Sequence, residues 1–286
     1  MKLETVIIAM PNVLKDLSPP SLTTSVKANL YAFFHLLGRS SKSEFYTHSK
    51  LIRWHTPIPH PWFQGILSAE SAELDDDQLV RDMVSYFKSR GVTSFTWWLE
   101  PNLNADSWSN HLIAHGFRYD KSTPGMAAYL AALPGSVPQP EKLVIRVVND
   151  LKTLEVWVRT FMLGYGLPEA WSIDFFELLA SLGLDLPLRH YLAYLDGEPV
   201  ANSTLMLGAG VAGIYNVATI PEARGQGIGA ALTLFPLQQA AELGYHAGIL
   251  QSSEMGFSVY RRLGFQHLCQ MDHFYWKSGV DDGEFG

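Results

Sequence analysis

Cysteine is nearly absent from this sequence: Cys269 is the one cysteine among 286 residues. A disulfide within the chain and a cysteine-based zinc site are therefore excluded, and we expect no metal site. Cys269 lies in an apolar run, which predicts a small buried side chain rather than a nucleophile. Such cysteine usage fits a reducing compartment.

Long apolar runs are also lacking. The N-terminal stretch Val6–Met10 is too short for the core of a signal peptide and is followed by Pro11. No segment approaches the about 20 apolar residues of a membrane span. We therefore expect a soluble, cytoplasmic protein without a membrane partner.

Charged residues are few, at 17%, and the net charge is −7 with the basic residues scattered. A nucleic-acid-binding protein usually carries a basic face, so we expect no nucleic-acid partner. Hydrophobic residues make up 47%, which is enough for packed cores. The length favours two domains.

The clearest boundary is the segment Leu133-Pro134-Gly135-Ser136-Val137-Pro138-Gln139-Pro140. Its prolines, glycine and serine are typical of a linker. We predict a first domain at 1–132, a linker at 133–141, a second domain at 142–278 and a flexible tail at 279–286.

The second domain has the pattern of a mixed α/β sheet. Turn signals join three strand-like runs into an antiparallel meander: His190–Leu195, Val200–Leu207 and Gly213–Thr219. A glycine-rich turn follows, and then helix Ala230–Leu243, strand Ala247–Gln251, helix Glu254–Leu263 and strand Phe265–Tyr275. Pro236 should kink the first of these helices.

The first domain repeats part of this order, with predicted elements Asp75–Arg90 (helix), Ser94–Leu99 (strand), Asp106–His115 (helix) and Met126–Leu130 (strand). Leu263-Gly264-Phe265-Gln266 is similar to His115-Gly116-Phe117-Arg118. These similarities favour an internal duplication, although any junction of helix, glycine and strand has such a pattern.

One segment carries a chemical signal: Thr219-Ile220-Pro221-Glu222-Ala223-Arg224-Gly225-Gln226-Gly227-Ile228-Gly229-Ala230. Glycines at 225, 227 and 229 permit positive φ angles and a turn of main-chain N–H groups. With the positive end of the next helix, these groups predict a site for a diphosphate, and Arg224 adds charge at its rim.

Other phosphate loops fit less well. An ATP-binding loop needs Gly-Lys-Ser/Thr, whereas Ala230 and Ala231 follow Gly229. A dinucleotide-binding fingerprint needs Gly-x-Gly-x-x-Gly after a parallel strand, whereas the glycines here alternate after an antiparallel meander. The pattern Arg/Gln-x-x-Gly-x-Gly/Ala is satisfied by Arg224, Gly227 and Gly229.

From about Leu143 to Lys277 the sequence resembles the GNAT acetyltransferase superfamily. Besides the glycine turn, Ser253-Glu254-Met255-Gly256-Phe257-Ser258-Val259-Tyr260-Arg261-Arg262-Leu263-Gly264-Phe265 is similar to the family's Asn-x-x-Ala-x-x-x-Tyr-x-x-x-Gly-Phe. Ser253 and Gly256 depart from that pattern. The resemblance implies an α/β GNAT fold with two similar domains in tandem, the first of them degenerate.

The resemblance also implies a site for acetyl-CoA as co-substrate. Main-chain groups of the strand ending at Thr219 would pair with the pantetheine arm across a splay from Ala247–Gln251, and a strand N–H near Val217 or Ala218 would polarise the thioester. Tyr260 would be the general acid on the CoA thiolate. The implied cofactor-binding residues are Val217, Ala218, Thr219, Arg224, Gly225, Gln226, Gly227, Ile228, Gly229, Ala230 and Ser253.

The general base and the acceptor stay open. The strand segment Ile214–Val217 carries no carboxylate, so water or His190 are alternatives, and no base is assigned. Trp171, Asp174 and Glu177 are candidates for the acceptor side. The acidic segment Ser68–Asp77 before the first domain's long helix should repel a diphosphate. We therefore expect that domain to brace the second or to wall its cleft, with Trp54, Trp62, Phe63, Trp97 and Trp98 in a core.

Three hypotheses compete. The first is an N-acetyltransferase acting on a small-molecule or peptide primary amine by direct attack. The second is a non-catalytic acyl-CoA-binding regulatory module. The third is an enzyme that uses a wider range of acyl-CoA donors.

Overall fold

A computed structural model describes residues 13–48, 51–68, 77–100 and 105–279. The acidic segment from 69 to 76, the N-terminal stretch Val6–Met10 and nearly all of the predicted tail lie outside these residues. Within them, no helix combines the length and hydropathy that crossing a membrane requires.

The first part of the chain contains α1 (Pro19–Leu37), β1 (Glu44–Thr47), β2 (Leu51–His55), β3 (Gly65–Ser68), α2 (Asp77–Ser89), β4 (Ser94–Leu99), α3 (Ala105–Ala114) and β5 (Arg118–Tyr129). The second part contains β6 (Leu143–Val147), α4 (Leu151–Tyr165), α5 (Ser172–Ala180), β7 (Leu188–Leu195), β8 (Glu198–Gly208), β9 (Val211–Thr219), α6 (Ile228–Glu242), β10 (Ala247–Gln251), α7 (Glu254–Leu263) and β11 (Gln266–Lys277).

The chain folds into two compact units that are not contiguous in sequence. Unit 1 contains the described residues of Met1–Phe33, Gly125–Ser172 and Gly183–Leu268, and unit 2 those of Phe34–Pro124, Ile173–Leu182 and Cys269–Gly286. The predicted domains 1–132 and 142–278 are divided differently and stay a prediction.

Unit 1 contains a mixed sheet in the order β5, β10, β9, β8, β7, β6. Strands β6 to β9 pair antiparallel, which confirms the predicted meander, and β9 pairs parallel with β10. Successive side chains of a strand face opposite sides of the sheet, so on β8 Ser203 faces α6 while Asn202 and Thr204 face the other way. Helix α4 contacts β7, β8 and β9.

In unit 2 the strands are ordered β1, β2, β3, β4, β11, and β3 and β4 are parallel. Strand β5 follows α3 in sequence, yet its end pairs with β10 in unit 1. Strand β11 follows α7, yet it pairs with β4 in unit 2. Each half of the chain therefore supplies a strand to the other unit's sheet.

The predicted repeat has a structural counterpart. The order β3, α2, β4, α3, β5 matches the order β9, α6, β10, α7, β11, and each set begins with two parallel strands joined by a helix. The four glycines at the helix ends, Gly91, Gly116, Gly244 and Gly264, all have positive φ angles. This φ sign is what glycine tolerates at a helix C-terminus.

Helix α1 was missed by the sequence analysis, and its part up to Phe33 belongs to unit 1. Asn29 is fully buried there, and its Nδ2 donates to the carbonyls of Met206, Gly208 and Val211. Its Oδ1 accepts from the Tyr215 hydroxyl at 2.8 Å. Helix α1 is thereby fastened to the β8–β9 hairpin.

Two burial predictions have different outcomes. Cys269 is buried, as predicted. Trp54 and Trp97 lie in the core, but Trp62 is 42% exposed, so its placement in a core was wrong. Trp62 follows Pro61 in a short 3-10 turn none of whose residues is buried.

Candidate active site

The glycine turn places a row of main-chain N–H groups at the start of α6. Gly225 and Gly227 have φ angles of 77° and 81°, conformations that strain any residue with a Cβ. Gly227 is the N-cap of α6 and supplies no side-chain cap. The first-turn N–H groups of Ile228, Gly229 and Ala230 have no main-chain acceptor among the described residues. An anion is a natural partner for such groups.

Two contacts fix the back of this turn. A Cβ on Gly227 would lie 2.2 Å from the carbonyl oxygen of Pro138, so the proline-rich segment leaves no room for a side chain there. Arg224 donates from Nε to the carbonyl of Thr219 (3.1 Å) and from Nη2 to that of Gly164 (2.8 Å). The predicted rim charge is therefore held by main-chain oxygens of β9 and α4.

Strand β9 leaves its neighbour β10 part-way along its length. The parallel pairs run from Ala212 with Gly248 to Ile214 with Leu250, whereas β9 continues to Thr219. On the other side, the register of β9 with β8 shifts between Asn202 and Thr204, which is a β-bulge. Asn216 lies in this bulge with a positive φ of 54°. The predicted separation of β9 from β10 therefore begins directly before the β-bulge at Asn216.

Tyr260 lies near Tyr165, whose hydroxyl contacts Val217 on β9. It is 9% exposed, and its ring leans back over Gly256, where a Cβ would come within 2.7 Å of Cε2. Thr233 lies near the phenol, and its hydroxyl donates to the carbonyl of Gly229 at 2.9 Å. Burial raises the pKa of Tyr260 to about 12, so the phenol keeps its proton at neutral pH.

Residues 187–267 match the family model described as acetyltransferase (GNAT) domain. This region is a GNAT domain. The match contains the glycine turn, β9, β10 and Tyr260, which are the elements just described. No curated protein matches the chain.

Solved structures with this fold match nearly the whole chain. A GCN5-related N-acetyltransferase from Kribbella flavida superposes with a TM-score of 0.66 at 19% identity, over 91% of this chain and 96% of that one. One from Sphaerobacter thermophilus has a TM-score of 0.60 at 16% identity, over 92% and 95%. A tandem GNAT protein from the clavulanic acid biosynthesis pathway has a TM-score of 0.55 at 12% identity, over 94% and 97%. The predicted GNAT fold with two domains in tandem is confirmed.

Tyr165, at the end of α4, contacts strand β9 beside Tyr260, and the sequence analysis missed this contact. Its hydroxyl donates to the carbonyl of Val217 at 3.2 Å. Burial of that hydroxyl and the charge of the nearby Tyr260 raise the pKa of Tyr165, although 38% of the residue surface is exposed. Because Tyr165 and Val217 are 52 positions apart in the sequence, no local signal pointed to this contact.

Gly164 explains how α4 comes so close to β9 within unit 1. A Cβ on Gly164 would lie 2.7 Å from the Cβ of Ala218 and 3.4 Å from the main chain of Thr219. Only glycine lets the helix approach the strand at this distance. The approach brings Tyr165 to Val217 and Arg224 to the Gly164 carbonyl.

Ser253, where the family pattern has Asn, is the N-cap of α7 and accepts from the N–H of Gly256 at 3.2 Å. Its predicted cofactor contact stays a prediction. Among the other residues predicted to bind the cofactor, the side chains of Ala218 and Ile228 are buried, and Gly225 and Gln226 are exposed. Their predicted cofactor contacts are made by main-chain groups. Glu177 forms an ion pair with Lys42 in unit 2.

Proposed function

We propose that unit 1 transfers an acetyl group from acetyl-CoA to a primary amine, which attacks the thioester carbon directly. One observation carries the proposal. Thr233 donates to the carbonyl of Gly229 in the first turn of α6 and lies near Tyr260, and Tyr165 beside Tyr260 donates to the carbonyl of Val217 on β9. The first turn of α6, the end of β9 and a proton donor are thus neighbours, and this arrangement supports the proposal.

Each part has a chemical role in this proposal. The N–H groups of Gly225–Ala230 bind the diphosphate, and the free edge of Val217–Thr219 pairs with the pantetheine arm. A main-chain N–H at Val217 or Ala218 stabilises the developing oxyanion. The amine forms the new C–N bond, the C–S bond breaks, and the Tyr260 phenol gives its proton to the departing thiolate.

The unit 2 half is proposed to be non-catalytic, since the segment before α2 lacks the glycine pattern and is acidic in sequence. The acceptor amine loses its proton to solvent in this proposal, because the strand segment Ile214–Val217 carries no carboxylate.

Calorimetric titration with acetyl-CoA tests the cofactor site. Gly229 is a better probe than Gly227 because a Cβ there meets only Thr219 and Val217, at 3.9 and 4.0 Å. Gly229→Glu adds a negative charge among the first-turn N–H groups, where acids stabilise a helix, so the variant should fold and lose binding. Gly229→Ala is the matched control and should retain binding.

Turnover with an amine panel separates catalysis from the alternative of an acyl-CoA-binding regulator. Binding of acetyl-CoA without acetylation of any amine favours the regulator. No binding by the folded wild-type protein contradicts the cofactor assignment itself. Parallel titrations with propionyl- and succinyl-CoA decide whether the donor range is wider.

A further inference from the structure

The bulge at Asn216 is held by a buried network of polar side chains. Asn202 Nδ2 donates to the main-chain carbonyl of Asn216 at 2.8 Å. Asn216 Nδ2 donates to Thr204 Oγ1 at 3.4 Å, and Thr204 Oγ1 lies 2.9 Å from His190 Nδ1. The path therefore runs from β7 through β8 to the bulge on β9.

Helix α4 supports the same place. Ser203 lies opposite the bulge, where the β8–β9 register is interrupted, and its carbonyl accepts from Trp157 Nε1 at 3.1 Å. The Trp157 ring lies 4.7 Å from the His190 ring. At most 1% of the surface is exposed in each of Trp157, His190, Asn202 and Thr204.

The network does more than fill space. A positive φ is strained for a residue other than glycine and persists where the surroundings stabilise it. Placing an imidazole and two amides in a core is also unfavourable unless they are hydrogen-bonded. His190 Nε2 and Asn202 Oδ1 lack a partner among the described residues, so this network is retained despite incomplete pairing.

We infer that His190 and Thr204 are positioning residues for acyl transfer: through Asn216 they hold the β9 bulge, and with it the adjacent main-chain N–H groups at Val217 and Ala218. This inference rests on the proposed function. Thr204 can accept from Asn216 and donate its hydroxyl hydrogen to His190 Nδ1. Burial lowers the pKa of His190 to about 3, so the imidazole is neutral and can accept that bond.

Thr204→Val tests the inference because it removes the hydroxyl and keeps the side-chain shape. Ser203→Ala is the matched control: it also removes a fully buried hydroxyl from β8, but on the opposite face, where Ser203 bonds to the Leu232 carbonyl. We expect Thr204→Val to lower kcat about tenfold, below the loss for deleting an oxyanion donor outright. The KM of Thr204→Val for acetyl-CoA should stay within about twofold of wild type, since the bulge acts on the transition state. The kcat of Ser203→Ala should also stay within about twofold of wild type.

His190 gives a second pair. Asn at 190 can present a hydrogen-bonding atom near the place of Nδ1, whereas Leu of similar shape cannot. His190→Asn should therefore retain more kcat than His190→Leu. Equal losses in the two variants would mean that His190 only fills the core.

A measurement independent of activity uses 15N-labelled valine and asparagine. Thr204→Val should shift the main-chain amide signals of Asn216 and Val217, and Ser203→Ala should leave them in place. Unchanged signals in Thr204→Val, or equal losses of kcat in Thr204→Val and Ser203→Ala, overturn the inference. A wild-type protein that binds no acetyl-CoA contradicts the proposed function, while the amide signals still decide whether the network holds the bulge.

Discussion

The Ser203 hydroxyl donates to the main-chain carbonyl of Leu232 at 2.9 Å, the carbonyl that Pro236 leaves without its helical donor. In an α-helix the N–H of a residue bonds to the carbonyl four positions earlier, and proline has no N–H. Pro236 lies inside the continuous helix α6, so a side chain of β8 replaces the missing bond. This pairing accounts for a proline that the sequence alone marks as unfavourable.

Ser203→Ala should lower the free energy of unfolding by about 1–3 kcal/mol, because the buried Leu232 carbonyl then has no donor. Pro236→Ala supplies an N–H for that carbonyl. In the Pro236→Ala background the cost of Ser203→Ala should therefore be smaller. Urea denaturation of the four proteins of this double-mutant cycle measures the difference, and an equal cost in both backgrounds would contradict the pairing.

Gly164→Ala should destabilise the protein although alanine favours helices. In an exposed helix this change stabilises by about 1 kcal/mol, but here the new methyl lies 2.7 Å from the Ala218 Cβ. Relieving that overlap should cost about 1–3 kcal/mol. It should also move Tyr165 from Val217 and raise the KM for acetyl-CoA. Thermal unfolding and steady-state kinetics of Gly164→Ala measure both effects, with Gly183→Ala as the control. The new Cβ at position 183 meets nothing within 4 Å, although the φ of 81° is strained for alanine.

Tyr260→Phe should lower kcat by about a hundredfold to ten-thousandfold, the usual range for a general acid. Since the pKa of Tyr260 is raised to about 12, its protonated form persists across the alkaline range. Deprotonation of Tyr260 should therefore not reduce the kcat of the wild-type enzyme between pH 7 and 10. A fall in the wild-type kcat with an apparent pKa near 9, absent from Tyr260→Phe, would refute the role of a buried phenol.

His190 should make stability depend on pH. Its folded pKa is about 3, below the ordinary value of 6.5, so its contribution is fully present above pH 6.5 and is lost as pH falls towards 3. Between pH 6.5 and 3 the imidazole is protonated in the unfolded chain but neutral in the folded protein. Near pH 5 the slope of unfolding free energy against pH should be smaller in His190→Asn by about 1.4 kcal/mol per pH unit. Identical slopes would show that His190 takes up its proton without unfolding.

Local sequence signals predicted much of unit 1. Strand β10 and helix α7 have the predicted bounds, Ala247–Gln251 and Glu254–Leu263. Ser253 caps α7, and Gly244 and Gly264 have positive φ angles at helix ends, so these boundaries depend on neighbouring residues alone. Asp150 likewise caps α4 by accepting from the N–H of Thr153. The glycine turn and Tyr260 were recognised from two short motifs.

Contacts between distant segments were beyond such signals. Helix α1 was not predicted, and its Asn29 bonds to a hairpin more than 170 positions later in the chain. The pairing of β5 with β10, and of β11 with β4, joins strands that are far apart in the sequence, so no local signal predicts it. Tyr165 was missed because its role depends on the close approach of Gly164 to Ala218.

Local signals were enough to predict the GNAT fold, the glycine turn and the motif that contains Tyr260, because helix caps, glycine conformations and short motifs act within a few residues. Tertiary structure alone decided the composition of the two units, the use of Arg224 by main-chain carbonyls and the network from His190 to Asn216. These features arise where strands and helices far apart in sequence pack together and must satisfy one another's buried polar groups.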